Sequence, residues 1–425
     1  MHERKLKSMH VVISCIGTYG DLCPYLAIGR TLAARGHEVH VLSSENFRLH
    51  VERAGLRFSS VASAEQYLAA VRDPNSWKGW TGLRTTWRRL WQIMPQGYRE
   101  LVTHIRPGQT VLIGSSLALW VRIAQEKFAL PAATVHLSPM PLLSADSSAA
   151  TLAGFARLPP WAVRLGLRLA NRLILDPLVL PDVNRFRASI DLPPIDVPAV
   201  RWLHSPQRVI CAFPSWFAAP AADWPRNSVC TDFPRLPPAE DEVLGAALLG
   251  FIEGGAPPIA FTPGSGMAHG GAFFERALAA CRRLGRRAVL ITPFRAQLPA
   301  QLPDFAFHTP YVHYGLLAPR VAVFVHHGGI GTLAQLMASG TPQLITPFAV
   351  DQPDNAARAE RLGVARRISP QAPLREWLKA LRALLDEGPA SACASHARAI
   401  ATARPGSELI ADWIETLRPQ VPLVA

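Results

Sequence analysis

"VAVFVHHGGIGTLAQLMASGTPQLITP", residues 321–347, changes its hydrophobic period twice. "VAVFV" is a continuous apolar run of the kind that forms a strand buried on both faces. Two histidines and a glycine-rich turn follow. "GTLAQLMASG" then spaces its apolar residues along one helical face and stops at Gly340, a residue suited to the position just past a helix end. "TPQLITP" returns to strand. Strand, glycine turn, helix and strand in this order read as one βαβ unit, which implies a parallel sheet.

The same alternation extends both ways. Upstream in this half stand "PPIAFTPGSG" (strand and loop), "GAFFERALAACRRLG" (helix) and "RRAVLITP" (strand). The first half repeats the layout with "MHVVISCI", "YLAIGRTLAAR", "EVHVLSS", "TVLIGSS", "LALWVRIAQEKFAL" and "PAATVHLSP". Prolines cluster without periodicity at 215–238 and mark a boundary. The expected class is α/β, with two Rossmann-like parallel-sheet domains over 1–235 and 236–405. "SELIADWIETLRP" reads as a C-terminal helix within 406–425 that packs back on the N-terminal domain. No repeat of solenoid period is present.

Composition narrows the function classes. The chain has 425 residues, nearly half of them hydrophobic, which suits two full cores and excludes wholesale disorder. No uninterrupted apolar run is long enough to span a bilayer. "MHERKLKS" has no apolar core behind it, so no signal peptide is expected, and Met9 is an alternative start. The expected location is cytoplasmic, with peripheral contact at the inner face of the membrane. The six cysteines are scattered without a C-x-x-C pair, which fits reduced buried thiols and no metal site. The net charge of +13 is uneven, since residues 1–210 hold 25 Lys/Arg against 14 Asp/Glu. An anionic membrane or substrate would explain that half, whereas nucleic acid finds no recognisable binding motif.

The turn that opens the Thr332 helix carries the first candidate site. A helix N-terminus presents unpaired N–H groups and a positive dipole end. Glycines let a phosphate approach that backbone, and a histidine there can donate to a phosphate oxygen. His326, His327, Gly328, Gly329, Gly331 and Thr332 are therefore phosphate-binding candidates; the alternative is a tight turn with a capping threonine. Gly264 and Ser265 form a second loop that could face the same anion. Asp351 and Gln352 follow the strand "PQLITPF", where a carboxylate beside a carboxamide suits sugar hydroxyls. The alternative is a helix cap, the preferred reading for Asp354.

"GTYGDLCPYL", residues 17–26, holds one carboxylate. Asp21 either caps a helix that begins near Pro24 or acts as a general base. The sharper expectation is that its oxygens point into a cleft and not onto its own helix. Residues 159–187 place Arg164, Arg168 and Arg172 four apart, with Trp161, Leu165, Leu169 and Leu173 on a neighbouring face. That helix either packs its apolar side on the domain or forms a basic, apolar wall for an amphiphilic acid or membrane surface. "WTGLRTTWRRLWQIMPQGYRE" interleaves Trp and Arg in the same manner.

"HHGGIGT…GTPQLITPFAVDQPDNA" resembles the donor motif of the family 1 nucleotide-sugar glycosyltransferases of GT-B type. "GTYGDLCPYLAIGRTLAARGHEVHVLSS" is similar to the opening of their sterol and antibiotic branch. Within the family the likeness is greatest to the rhamnosyltransferases of rhamnolipid biosynthesis, through "WLHSPQRVICAFPSWFAAPAADWP" (202–225) and "GSSLALWVRIAQEKFALP". The resemblance implies two domains facing across a cleft and an inverting transfer without a required metal or cofactor. The implied donor is dTDP-L-rhamnose and the implied acceptor a 3-(3-hydroxyalkanoyloxy)alkanoic acid. It places Asp21 as base, His326 on phosphate, Gly264 and Ser265 near the diphosphate, and Asp351 and Gln352 on the sugar. It sets Tyr311 and Val312 beside the nucleobase. Thr18, Tyr19, Trp87 and Arg164 are the acceptor-binding candidates. Two departures, Ala334-Gln335 for a glutamate and "YVHYG" for a tryptophan–glutamine clamp, argue against strict uridine selection. Competing readings are a glucosyltransferase using UDP-glucose on a lipid, sterol or hydroxy fatty acid, a nucleotide-sugar epimerase, and a non-catalytic partner subunit.

Overall fold

The computed structural model describes residues 8–77, 79–145, 158–386 and 391–417; most of the "MHERKLKS" segment lies outside them. Two parallel sheets form the frame. In the first, β1 (His10–Ser14), β2 (Glu38–Ser44), β3 (Arg57–Ala62), β4 (Thr110–Ser115), β5 (Ala132–His136), β6 (Arg208–Cys211) and β7 (Ser228–Cys230) are ordered β3-β2-β1-β4-β5-β6-β7. In the second, β8 (Ile259–Thr262), β9 (Ala288–Ile291), β10 (Ala306–Thr309), β11 (Val323–His326), β12 (Gln343–Ile345) and β13 (Ala365–Arg367) are ordered β10-β9-β8-β11-β12-β13. The fold is two Rossmann-like α/β domains.

Alternation along each strand feeds two layers of core. Val11 and Ile13 pack with Leu22, Leu26 and Ile28 of the Tyr19–Ala34 helix. Val12 points to the other face, against Met94 and Trp120. In the second domain Val323 and Val325 meet Phe261 and Trp377, while Phe324 faces Ala260 and Leu336. The central strands β1, β8 and β11 are thus apolar on both sides, as a sheet covered by helices requires.

Two further contacts join the halves. The Gly406–Glu415 helix returns to the first domain, where Ile410, Ala411 and Ile414 enter its core. Arg35 Nη1 donates to Asp412 Oδ1 at 2.8 Å, and His37 Nε2 lies 3.0 Å from Glu415 Oε1. The proline-rich stretch is not an open linker: Phe213, Phe217 and Trp224 pack with Leu333, Met337 and Ala359 in one apolar core shared by both domains.

The Trp-rich stretch forms one helix, Gly79–Thr103. The long basic stretch instead divides into helices Pro160–Ala170 and Asp176–Ala188 around a wider π-type turn at Asn171–Leu175. Pro177 has no N–H to return to the preceding turn, which accounts for the break. Of the two readings of this helix, the one that buries its apolar side fails: Trp161 is 64% exposed and Leu173 68%. Among the described residues no helix is long and apolar enough to cross a membrane.

Candidate functional site

In each sheet the winding reverses between the first and fourth strands, at β1/β4 and at β8/β11. Ligands of open α/β sheets bind beyond the carboxyl ends of strands at such points. The loop after β1 and the loops after β8 and β11 meet there. A Cβ on Gly266 would lie 2.6 Å from Thr18 Cγ2, and one on Gly331 would lie 3.1 Å from the Gly20 carbonyl oxygen. Pro24 cannot donate to that carbonyl, so the oxygen is left to face the second domain. Tyr19 and Tyr311 meet edge to face across the same cleft, with ring centroids 5.7 Å apart.

The helix that holds Asp21 begins at Tyr19, five residues before Pro24, so Asp21 sits in its first turn and not ahead of it. Its Oδ2 accepts from the Thr18 backbone N–H at 2.7 Å and from Thr18 Oγ1 at 3.1 Å. This is a capping box, with Thr18 as the N-cap residue. The expectation that the carboxylate turns away from its own helix is therefore corrected: Oδ2 is committed to the cap. Oδ1 makes no hydrogen bond among the described residues and is the atom left for a ligand. Burial pushes the Asp21 carboxyl above its ordinary range, with the Thr18 hydrogen bonds opposing. Gly17, at φ +148°, makes room for this arrangement, because a Cβ there would overlap the carboxylate.

The two histidines divide the work differently from the expectation. His326 is the last residue of β11 and fully buried. Its Nδ1 accepts from the Gly328 N–H at 3.1 Å, so the proton sits on Nε2 and donates to Gln343 Oε1 at 3.0 Å. No ring nitrogen remains for a phosphate, and His326 instead fixes the turn. His327 is the ring in the loop. Its Nδ1 is buried with no partner among the described residues. Its Nε2 lies 2.8 Å from where a Cβ on Gly264 would stand; Gly264, at φ +99°, admits the ring between the two glycine loops. Burial pulls its pKa down to about 4, so it is a neutral donor at neutral pH. Beyond it, the Ile330–Ser339 helix starts at Gly329 without a side-chain cap. The N–H groups of Ile330, Gly331 and Thr332 donate to nothing among the described residues, so this helix end keeps its unpaired donors.

Asp351 stands after β12 at the start of the Gln352–Arg361 helix. Its Oδ2 accepts from Asn355 Nδ2 at 2.8 Å, and Ser138 of the first domain lies close enough to oppose the rise of its pKa. Burial and the Asp21 carboxylate across the cleft push it up to about 6. The two carboxylates, one from each domain, are close enough to repel. Gln352 spends its oxygen on the Phe348 and Ala349 N–H groups, at 2.8 and 3.2 Å, so only its amide NH2 can serve a ligand. Asp354 is not a cap; it pairs with Arg358 at 2.9 Å, both buried.

The raised Asp351 carboxyl makes folding stability depend on pH. Its folded pKa, about 6, exceeds the ordinary value of 3.8. The folded state therefore binds the extra proton, and its contribution to stability is lost as pH rises from about 4 through 6. We expect Asp351→Asn to melt higher than the wild type at pH 8, with the difference closing toward pH 4. A constant difference across that range would contradict the assignment.

Of the remaining candidates, Tyr311 is 47% exposed at the cleft, whereas the Val312 side chain is buried in the core and offers only backbone. Ser265 is half-buried in the loop beside Gly266. Thr18 and Tyr19 reach the cleft. Trp87 does not serve it: the indole stacks near Trp91 and donates to Asp182 Oδ2 at 3.3 Å, which ties two helices together. Arg164 lies on the exposed face of the Pro160–Ala170 helix. Ser138, Asn355 and Trp77 were missed. Ser138 follows β5 as the other site residues follow their strands, so position alone could have flagged it. Trp77, whose buried indole N–H has no partner among the described residues, approaches the Gly266 loop from the first domain and carries no sequence signal. Among the described residues no group of three His, Cys, Asp or Glu could hold a metal.

The chain is similar to known proteins along nearly its whole length. Residues 11–142 match the glycosyltransferase family 28 N-terminal domain, and residues 278–417 the erythromycin biosynthesis protein CIII-like C-terminal domain. The O-mycaminosyltylonolide 6-deoxyallosyltransferase of Streptomyces fradiae is 30% identical, over 96% of this chain and 98% of that protein. The glycosyltransferase of kitacinnamycin superposes with a TM-score of 0.73 at 21% identity, over 97% of this chain and 100% of that one. The spinosyn rhamnosyltransferase, solved with thymidine diphosphate, superposes at 0.65 and 19% identity over 95% and 100%. These last two show the GT-B fold. Similarity to the deoxyallosyltransferase along nearly the whole of both chains goes further, and the chain belongs to the glycosyltransferases of the macrolide and antibiotic type.

Proposed function

We propose that the chain transfers a deoxysugar, L-rhamnose in the first instance, from its thymidine diphosphate to the hydroxyl of an apolar acceptor, with inversion. One observation carries the reading: the loop that holds Asp21 meets the glycine loops of the second domain beside the uncapped Ile330–Ser339 helix and the unpartnered His327 Nδ1. Asp21 Oδ1 takes the acceptor proton as the oxygen attacks the anomeric carbon and the bond to the diphosphate breaks. The leaving charge falls on the N–H groups of Ile330, Gly331 and Thr332, with His327 and Ser265 beside them. Asp351 and the Gln352 amide hold the sugar hydroxyls, and Tyr311 stacks on the base, with the Val312 backbone beside it. Thr18 and Tyr19 flank the acceptor.

A thymidine donor is supported by the nucleotide bound in the spinosyn enzyme. The likeness of residues 202–225 to the rhamnolipid group supports a 3-(3-hydroxyalkanoyloxy)alkanoic acid as acceptor. A macrolide hydroxyl is the second reading, favoured by the deoxyallosyltransferase relative. The test is a panel of dTDP-L-rhamnose, UDP-glucose and UDP-GlcNAc against the hydroxy acid dimer and a macrolide aglycone, read by mass spectrometry. We expect a rhamnosyl product on the dimer. A hexosyl product from UDP-glucose alone would overturn the donor, and product on the macrolide alone would overturn the acceptor. Epimerised donor without acceptor would overturn transfer itself.

A further inference from the structure

The Pro160–Ala170 helix and the turn after it place their large apolar residues outward. Trp161, Leu165, Leu169 and Leu173 are 64%, 49%, 47% and 68% exposed, while the side turned to the protein holds Val163 and Asn171. A helix on the surface of a globular domain does the reverse. The four lie at a spacing of four, so they form one continuous stripe. Arg168 and Arg172, both exposed, flank it, and Arg164 shares their row. From Leu158 to Leu175 there is no Asp or Glu.

We infer that this face docks the enzyme on an anionic lipid bilayer. Apolar side chains with a tryptophan on one row and arginines on the next are the pattern of a helix lying in the headgroup plane. The guanidinium groups reach lipid phosphates while their stems follow the leucines inward. Charge complementarity selects this occupant. A second copy would bring like-charged rows together, and a purely polyanionic partner would leave the leucine stripe unburied. The helix belongs to the domain that carries Asp21. The docking does not depend on the transfer reading.

The experiment is flotation of the full chain with phosphatidylcholine vesicles, with and without phosphatidylglycerol. The wild type should float with the anionic vesicles and little with the neutral ones. L165Q/L169Q should cut partition about tenfold or more, and R168Q/R172Q on the order of tenfold through loss of anionic selectivity. Nucleotide binding by calorimetry, unchanged in both variants, shows that the fold and donor site persist. Absence of wild-type flotation, or equal flotation of L165Q/L169Q, overturns the proposal. So does a wild-type dimer that L165Q/L169Q converts to monomer, which would make the face a contact between copies. Flotation without any sugar transfer would leave docking standing and remove the transfer reading.

Discussion

Asp21→Asn is expected to lower transfer by about 100-fold or more while leaving nucleotide affinity and stability near wild type. The magnitude is that of losing one positioned general base. The structure makes the substitution a clean one. Asparagine retains an oxygen that can accept from the Thr18 N–H, so the capping box survives and the Tyr19–Ala34 helix keeps its start. What is lost is the charge on the second oxygen. Because burial raises the Asp21 pKa, the wild-type rate should fall on the acid side with a midpoint above the ordinary carboxylate range. That limb should be missing from the residual activity of the variant. Retention of more than about a tenth of wild-type turnover would confine Asp21 to capping.

The second large effect separates neighbouring histidines. His327→Ala should weaken binding of thymidine diphosphate about 10- to 100-fold, the worth of one hydrogen bond to a charged oxygen. Its melting temperature should change little, because the His327 Nδ1 has no protein partner to lose among the described residues. His326→Ala should do the opposite. It strips the partners of the Gly328 N–H and of Gln343 and opens a cavity in a fully buried place. A loss of roughly 3 kcal/mol in folding stability is the expected order. Calorimetry and chemical denaturation of both variants check this. Equal loss of nucleotide affinity without destabilisation in His326→Ala would return the phosphate to His326.

The motif around residues 321–347 revealed that histidines were at stake but did not say which one. The strand pattern holds the answer in part. His326 alternates with Phe324 and so faces the same core, whereas His327 is the first residue free of the ladder. Asp21 was similarly half legible. The spacing of Thr18 and Asp21 is that of a capping box, yet placing the helix start near Pro24 concealed it. A proline is tolerated there because the carbonyl it cannot bond turns to the other domain. Trp87 misled for a general reason: a tryptophan beside arginines reads the same whether it lines a pocket or ties two helices.

What the sequence by itself determined is the sheet architecture and the chemistry of the loops. Apolar runs alternating with helical periods allow only parallel sheets covered on both sides, and glycine loops at strand ends allow only close backbone approach. What the tertiary structure decided is which atoms remain available. Asp351 is raised by burial that its local sequence does not contain, and then by Asp21, a residue more than three hundred positions away. The outward stripe of the Pro160–Ala170 helix is of the same kind. Periodicity fixes which residues share a face, but only packing decides whether that face meets protein or solvent, because burial depends on neighbours distant in the chain.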